Sequence, residues 1–496
     1  MRRASNVLLG ILALLLFMQA GFSLHWPIAH DEAPLFYEAF LMRSEGRIPY
    51  RDIFDFQMPG SFAAYYVLGR LGGFNAPVIR ILDILILTAL LAITYFSIQR
   101  FGKISAGAAA ILFGLKYLQG GPSMSLQREY LLLIFIALAV WISMRDDLTL
   151  KHRFALGVLF GLSAMIKPHA AIGLLPMLLF DMSDMIKRRK LTVLNAASVS
   201  VLPASAGFFV PIFVIFAWLA LNNALTSFLT IASTYWPLYA QINGELVITP
   251  KAERISFLLD QVWRLGGYGV WIIPAAIGVY LNQNKRAYLL ASLALCYAIY
   301  PAFSGQFFSY HYIPFVYFII LLASLAISTI SQSPLLLRQF SALILLAVIL
   351  INVRPSSAFL RQFEGKSVIT STYRANEIAR FLENNLKDGD TIQPLDWTGG
   401  TLLAMLETRA HIATAYVFDF YFYHHVSTPY IQDLRADFMR QLQAASPRFV
   451  IEVTALDKPW VGGEDTSRDF PELRTFLNGN YSITIQKDDY IIYERR

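Results

Sequence analysis

Two carboxyl side chains stand side by side at Asp31 and Glu32, in the run His30-Asp31-Glu32, a few residues beyond the apolar stretch that opens the chain. A carboxylate within hydrogen-bond reach of a hydroxyl can take its proton as that oxygen attacks an electrophilic carbon. The same acids can also do no more than favour a helix N-terminus, where negative charge is stabilised. Pro34 suits the first turn of a helix over 33–44. Neighbouring residues on a helix point about 100° apart, so the two acids need not share a task.

The segment after the acid pair is unlike a plain connector. Gly46-Arg47-Ile48-Pro49-Tyr50-Arg51-Asp52 leads to Asp55-Phe56-Gln57-Met58-Pro59-Gly60 and then to an amphipathic stretch over 61–71. The whole of 26–77 is long, aromatic and mixed in charge, where a connector would be short, and it offers two stretches able to lie along a membrane surface. Further ionisable groups sit at the ends of apolar runs: Arg128 and Glu129, Lys167 before Pro168, and His311 between Tyr310 and Tyr312. Each has a plain alternative. Lys167 can snorkel to the interface, Arg128 and Glu129 can pair with each other, and His311 can belong to an aromatic belt. Lys116 reads as snorkelling, Arg80 and Asp83 as a pair one helical turn apart near an interface, and His424-His425 as surface packing amid Tyr421, Phe422 and Tyr423. His30 and His169 are able to ligate a metal, but no spacing such as H-E-x-x-H accompanies them. Metal ligands are therefore unknown, and a divalent cation is compatible with the sequence without being required by it. The single cysteine, Cys296, rules out a disulfide within the chain and a cysteine metal site.

The elements that must position these groups are mostly apolar. Of 496 residues, 56% are hydrophobic and 15% charged, well under the roughly 25% charged residues of soluble domains. Lipid penalises charge that water would require. About eleven stretches approach the roughly 20 apolar residues a span needs: 7–25, 78–98, 104–119, 128–144, 154–166, 169–183, 195–220, 266–281, 287–302, 312–329 and 339–353. Lys167-Pro168 divides the fifth from the sixth. The first, after Met1-Arg2-Arg3, is longer than a secretory signal core and lacks a small-residue cleavage site, so it reads as a retained span.

The net charge of +7 does not indicate nucleic acid, because the basic residues cluster in short loops between apolar runs. By the positive-inside rule, Arg2 and Arg3 place the N-terminus in the cytoplasm. The cytoplasmic loops then carry Arg100 and Lys103; Arg145, Lys151 and Arg153; Lys187, Arg188, Arg189 and Lys190; Lys285 and Arg286; and Arg338. Three segments face outside: 26–77, 221–265 and 354–496. The middle one, with Tyr235, Trp236, Tyr239, Gln241, Asn243 and Glu245, reads either as a lid or as an interfacial loop. The last is an α/β domain beyond the membrane region 1–353. Its expected elements are a helix over 372–386 stopped by Lys387-Asp388-Gly389-Asp390, a strand over 391–395, a helix over 432–445, a strand over 449–453, and a hairpin of 481–486 with 490–493.

The acid pair after the first span, the G-x-x-P-Y-R-D step and the D-x-x-x-P-G step together resemble the GT-C membrane glycosyltransferases. The resemblance is to the bacterial group similar to protein O-mannosyltransferases and to the lipid A aminoarabinose transferases. Gly161-Leu162-Ser163-Ala164-Met165-Ile166-Lys167-Pro168 resembles that family's G-L-x-x-x-x-K-P turn. Gln127-Arg128-Glu129 resembles its acidic position there, and Phe307-Phe308-Ser309-Tyr310-His311-Tyr312 resembles its F-x-H-Y step. The resemblance implies a GT-C-like polytopic α-helical fold and a polyprenyl-phosphate-linked sugar as donor. It also implies a cell-envelope acceptor (lipid, glycan or protein) and a bacterial inner membrane as home. Asp31 becomes the base, with Glu32 either orienting the acceptor or starting the helix. Arg128, Glu129, Lys167, Tyr310, His311 and Gln57 become candidates for substrate and phosphate contact. Gln57 is a departure, since many relatives carry lysine in a Lys-Pro-Pro step there, and another cation must stand in for it. The competing readings are a transporter of lipid-linked saccharides, for which repeat symmetry and mid-membrane polar groups are wanting, and a non-catalytic assembly protein. Membrane lipids, and not nucleic acid, are the expected surroundings.

Overall fold

A computed structural model of the chain describes residues 2–329, 335–352, 354–355, 357–366 and 370–496. These fall into two compact units, each built from separate stretches. Met1–His25, Arg80–Phe216 and Ile255–Gly365 form one; Trp26–Ile79, Ala217–Arg254 and Lys366–Arg496 form the other.

The first unit is helical. Among the described residues, seven helical stretches are long and apolar enough to cross a membrane: Asn6–Ser23, Ala76–Phe101, Pro168–Arg189, Val193–Leu221, Arg254–Leu281, Lys285–Ser304 and Ser309–Ile327. The sequence suggests about eleven. The difference is one of length: Lys103–Gln119, Arg128–Ser143 and Leu150–Ile166 are apolar helices of 17, 16 and 17 residues, about 25 Å each at 1.5 Å per residue. The last expected span is the helix Leu335–Asn352; its end at 353 and the Arg338 side chain lie outside the described residues. Lys167-Pro168 does separate two helices. Lys167 is extended at φ −146°, ψ 115°, the conformation a following proline favours, and a 3-10 turn over Pro168–Gly173 leads into the helix Leu174–Arg189.

The helix Ile313–Thr329 is the core of this unit. It is apolar all round, and the span it belongs to is 94% buried within the protein, which marks an interior helix. Elsewhere the packing depends on absent side chains. Gly157 and Gly161, four residues apart on Leu150–Ile166, lie against the Ala204 and Phe208 carbonyls of Val193–Leu221, and Gly207 answers from that helix against the Phe154 carbonyl. Small residues let two helix backbones approach where there is no hydrophobic gain to hold them. At one end of the unit several of the basic residues assigned to the cytoplasm pair with four acids. Arg153 pairs with Asp181 at 2.7 Å, Lys285 with Asp184 at 2.8 Å, Arg189 with Asp147 at 3.0 Å and Arg100 with Asp146 at 3.1 Å.

The second unit holds a five-stranded sheet: β1 (Thr391–Leu395), β2 (His411–Ile412), β3 (Phe449–Val453), β4 (Tyr481–Gln486) and β5 (Tyr490–Arg495), in the order β2-β1-β3-β5-β4. β1 runs parallel to β2 and β3, with Ile392 opposite Phe449; β5 is antiparallel to β3 and β4, with Ile451 opposite Ile492. The strands and hairpin expected from the sequence are present. So are the two helices, as Thr370–Asn385 and Pro429–Ala445. Ile378 and Leu382 are buried as their spacing predicts, and Gly389 turns the chain at φ +83°. Three elements have no counterpart in the sequence reading: β2, with two residues; Thr401–Glu407, seven residues nearly all buried; and Pro471–Asn480. The first two are too short to show a period.

The stretches 26–79 and 217–254 are integral to this unit. Tyr37 O–H donates to the Ala410 carbonyl at 2.8 Å, and the Arg47 guanidinium donates to the Ile412 and Thr414 carbonyls, both at 3.0 Å. Phe54 N–H donates to the Ala415 carbonyl at 2.9 Å. Trp236 Nε1 donates to the Phe56 carbonyl at 2.8 Å, and residues 246–248 exchange backbone bonds with Gly462. His424 and His425 are not on the surface as expected. They are 0% and 6% exposed, His424 Nε2 lies 3.2 Å from the Tyr235 hydroxyl, and His425 Nε2 donates to the Leu238 carbonyl at 3.0 Å. The aromatic run that suggests a surface is instead the packing between the tail and residues 225–239. Burial pushes the His424 imidazole down to about 3.

Glu452 of β3 accepts from Arg474 at 2.7 Å and from Tyr493 O–H at 3.1 Å. Burial works against its charge, and the Arg474 guanidinium overcomes that, holding the carboxyl below its usual range. Arg474→Met should lower stability by about 2 kcal/mol, less than a fully buried pair because Arg474 is partly solvated. A carboxyl whose pKa is lower in the folded state contributes stability above its unfolded pKa and loses it as pH falls through the folded one. The gap between wild-type and Arg474→Met melting temperatures should therefore close below about pH 4, which thermal unfolding of the purified protein across pH will check. In the helical unit, Gly157→Val must push two backbones apart at a cost of about 1–3 kcal/mol. It should appear as a lower melting temperature in detergent, while Gly267→Val, which meets open space, suffers only the strain of its positive φ.

Candidate functional site

The helix Glu32–Ser44 starts where the acid pair sits, and the two acids have different employment. Glu32 Oε2 accepts the Ala29 N–H at 3.1 Å, so Glu32 ties the segment before the helix to its first residue. Asp31 occupies the N-cap position but its side chain makes no capping bond. Its Oδ1 lies 3.0 Å from His30 Nδ1, with the carboxyl side chain 7% and the imidazole 45% exposed. His30 itself holds φ +51°. Deeper in the unit, Glu38 and Asp55 are both buried. Asp55 Oδ1 accepts from Phe56 N–H at 2.6 Å and from Tyr421 O–H at 3.2 Å. Burial first, and then the Asp55 charge, raise the Tyr50 and Tyr421 phenols well above their ordinary range, so both remain neutral donors. Gln57 is half-buried, and its carbonyl accepts the Tyr50 hydroxyl. Sequence alone does not single out Glu38; its signal is a lone acid within Phe36-Tyr37-Glu38-Ala39-Phe40.

The helical unit gathers three of the other candidates. The start of Arg128–Ser143 supplies Glu129, the extended residue after Leu150–Ile166 supplies Lys167, and the 3-10 turn Ser309–Tyr312 supplies His311. Glu129 and His311 are 0% and 1% exposed. Lys167 Nζ lies 3.0 Å from Glu129 Oε1 and 3.3 Å from His311 Nε2. His311 Nδ1 donates to the Gln306 carbonyl, a bond that leaves the lone pair of a neutral imidazole on Nε2 to accept from the lysine. Tyr300 O–H approaches Glu129 Oε1 at 3.5 Å. Tyr310 is buried and sets its ring edge against His311 at 4.8 Å. Arg128 is buried as well. The ion pair expected of Glu129 with its neighbour Arg128 goes to Lys167. Glu129 Oε2 is buried with no hydrogen bond among the described residues. The result is a lysine ammonium held in a fixed direction by a carboxylate and an imidazole, in surroundings poor in water, where charge acts strongly.

Arg80 and Asp83 meet at Ser125. Arg80 donates to Ser125 Oγ at 2.6 Å, and Asp83 accepts from Ser125 and Tyr117, both at 2.7 Å. Both lie in the protein interior. His169 stacks on Phe303 at 6.1 Å. Among the described residues no group of three or more His, Cys, Asp or Glu gathers as a metal site would.

Lys167→Met would strand the buried Glu129 carboxylate and should cost about 3 kcal/mol. Removing both charges together, in Lys167→Met with Glu129→Gln, should cost less than the sum of the single changes. Thermal unfolding of the four proteins in one detergent measures that coupling. Additive losses would mean that the two side chains do not act as a pair.

No protein-family model matches the chain, and no curated protein matches it in sequence. Solved structures do. The crystal structure of ArnT from Cupriavidus metallidurans bound to undecaprenyl phosphate aligns over 98% of this chain and 97% of its own, with a TM-score of 0.58 and 12% identity. Its apo structure aligns over 99% and 98%, with a TM-score of 0.56 and 12% identity. At that identity the likeness speaks for the fold, from one end of the chain to the other. The chain therefore has the fold of ArnT, a polytopic helical fold with a mixed α/β region at its C-terminal end.

Proposed function

We propose that the protein is an inverting glycosyltransferase. It moves a sugar from a polyprenyl-phosphate donor to a hydroxyl of a cell-envelope acceptor, on the extracytoplasmic face of a bacterial inner membrane. The observation that carries this reading is the fit of the whole chain to ArnT, which was crystallised with undecaprenyl phosphate. The residues supply reasons of their own. Asp31 is a nearly buried carboxylate at the N-cap position, its Oδ1 3.0 Å from His30 Nδ1.

In this mechanism the acceptor oxygen bonds to the anomeric carbon as the bond from that carbon to the phosphate oxygen breaks. Asp31 takes the acceptor proton, and His30 at 3.0 Å orients the carboxylate. The polyprenyl phosphate leaves with the bonding electrons as an anion, so it needs cations more than it needs an acid. Lys167, with its direction set by Glu129 and His311, is the fixed cation assigned to that anion; Arg128 is the second. Gln57 cannot carry the charge of the family lysine, and Lys167, Arg128 or another cation takes that role. One displacement inverts the sugar carbon. Residues 26–77, within the membrane region 1–353, and the domain 354–496 beyond it are read as facing outside.

The test supplies purified protein in nanodiscs with a panel of polyprenyl-phosphate sugars and envelope acceptors, and monitors release of polyprenyl phosphate. Asp31→Asn should reduce release by about 10²-fold or more, with donor binding retained. Lys167→Met should weaken donor binding as well as turnover. Equal release by wild type and Asp31→Asn would remove Asp31 as the base. Donor binding without release, for any sugar, would instead favour a transporter or a non-catalytic assembly protein.

A further inference from the structure

The helix Arg254–Arg264 sorts its residues by side, and none of them is fully buried. At about 100° per residue, Arg254, Phe257, Leu258, Gln261 and Val262 fall on one side, and these are its half-buried residues. That side faces protein: the Phe257 ring meets Phe307 edge-on at 5.8 Å, and the Gln261 carbonyl accepts the Tyr312 hydroxyl at 3.4 Å. The outward side divides in two. Ile255, Leu259 and Trp263, at i, i+4 and i+8, form an apolar edge and are 74%, 67% and 87% exposed. Ser256, Asp260 and Arg264 form a polar edge beside it, also exposed, with Asp260 and Arg264 paired at 2.7 Å.

A helix in water would turn its apolar edge toward protein. Single exposed apolar side chains are ordinary, but three in one continuous strip mark a contact surface. Burying the whole helix in hydrocarbon is no better, because Arg254, Asp260 and Arg264 would be costly there. The backbone excludes one straight span as well. Leu265, Gly266 and Gly267 follow one another at φ +49°, +60° and +81°, and a right-handed helix does not continue through three left-handed residues. A Cβ on Gly266 would lie 2.6 Å from the Tyr312 ring, so the bend is packed in place. Beyond it the stretch runs on to Leu281, and its Val270, Ile272 and Ile273 are exposed apolar side chains. The apolar edge thus continues into the exposed face of a stretch apolar enough to cross a membrane. An apolar edge beside a polar one fits the boundary of a bilayer, where tryptophan is favoured.

We propose that Arg254–Arg264 is an interfacial helix. Ile255, Leu259 and Trp263 sit among the acyl chains of bilayer lipids, and Ser256, Asp260 and Arg264 sit at headgroup level. The partner is the lipid surface itself. This contact does not depend on sugar transfer, and its test reads depth alone.

Cys296 is the single cysteine, so full-length Cys296→Ser protein accepts one nitroxide label at a time. Ile255→Cys, Leu259→Cys, Ser256→Cys and Asp260→Cys are labelled in that background and placed in phosphatidylcholine nanodiscs. Power saturation then compares collisions with oxygen, which concentrates in lipid, and with a water-soluble nickel chelate. Labels at positions 255 and 259 should favour oxygen and report a depth of about 5–10 Å into the boundary of headgroups and acyl chains. Labels at positions 256 and 260 should favour nickel. A measurement without labels uses Trp263. The fluorescence lost in Trp263→Phe should be quenched by a lipid brominated near its headgroup and not by aqueous iodide. Preference for nickel at all four positions would place the helix in water and overturn the proposal. Exclusion of both oxygen and nickel at positions 255 and 259 would mean that protein, such as another copy of the chain, covers the edge, and would overturn it too.

Discussion

A chain that keeps much of its length out of water must satisfy the polar groups it buries from within itself, since lipid offers neither hydrogen bonds nor counter-ions. The arrangement of this protein obeys that constraint. Glu129 is buried because Lys167 and His311 come to it from two other segments. Asp83 is buried because Tyr117, Ser125 and Arg80 close around it. Arg153 is buried because Asp181 meets it with two bonds and Ser200 completes the carboxylate at 2.6 Å. Each cluster pins several helices at once. Polar contacts therefore specify the register of a bundle whose apolar faces would pack in many ways.

The second unit meets the same demand with backbone. The aromatic and charged stretch after the first span, which reads in sequence as a surface loop, is bonded into the tail through Tyr37, Arg47 and Phe54. The stretch over 225–249 is bonded in through Trp236 and the exchange with Gly462. Asp31 thus sits at the start of a helix held on several sides, and the base role proposed for it would gain from such a support. The price of this rigidity is a buried aromatic interior of Tyr235, Tyr421 and His424, whose hydroxyls and ring nitrogens must find partners among themselves and with Asp55.

Much of the fold was legible in the chain. The spans come from runs of apolar residues, and β1, β3 and the closing hairpin from short apolar or alternating runs bounded by turns. Lys167-Pro168 was legible as a break because proline disfavours a helical residue before it. Of the candidate site, residue types and motif order were enough to single out Asp31, Glu129, Lys167 and His311. The roles of glycines such as Gly157 and Gly161 were not legible, because a glycine shows its function only when another backbone is placed against it.

Which groups lie in apolar surroundings, and which segments are helix or strand, is written in the chain itself, since these depend on neighbours along it. Who meets whom is settled only by packing. Packing gave Glu129 to Lys167 in place of adjacent Arg128, set the Arg153 guanidinium on Asp181, and drew His424 into the interior. The physical reason is that the energy of a buried charge depends on distances of a few ångströms to groups tens or hundreds of residues away, and those distances exist only once the chain has packed.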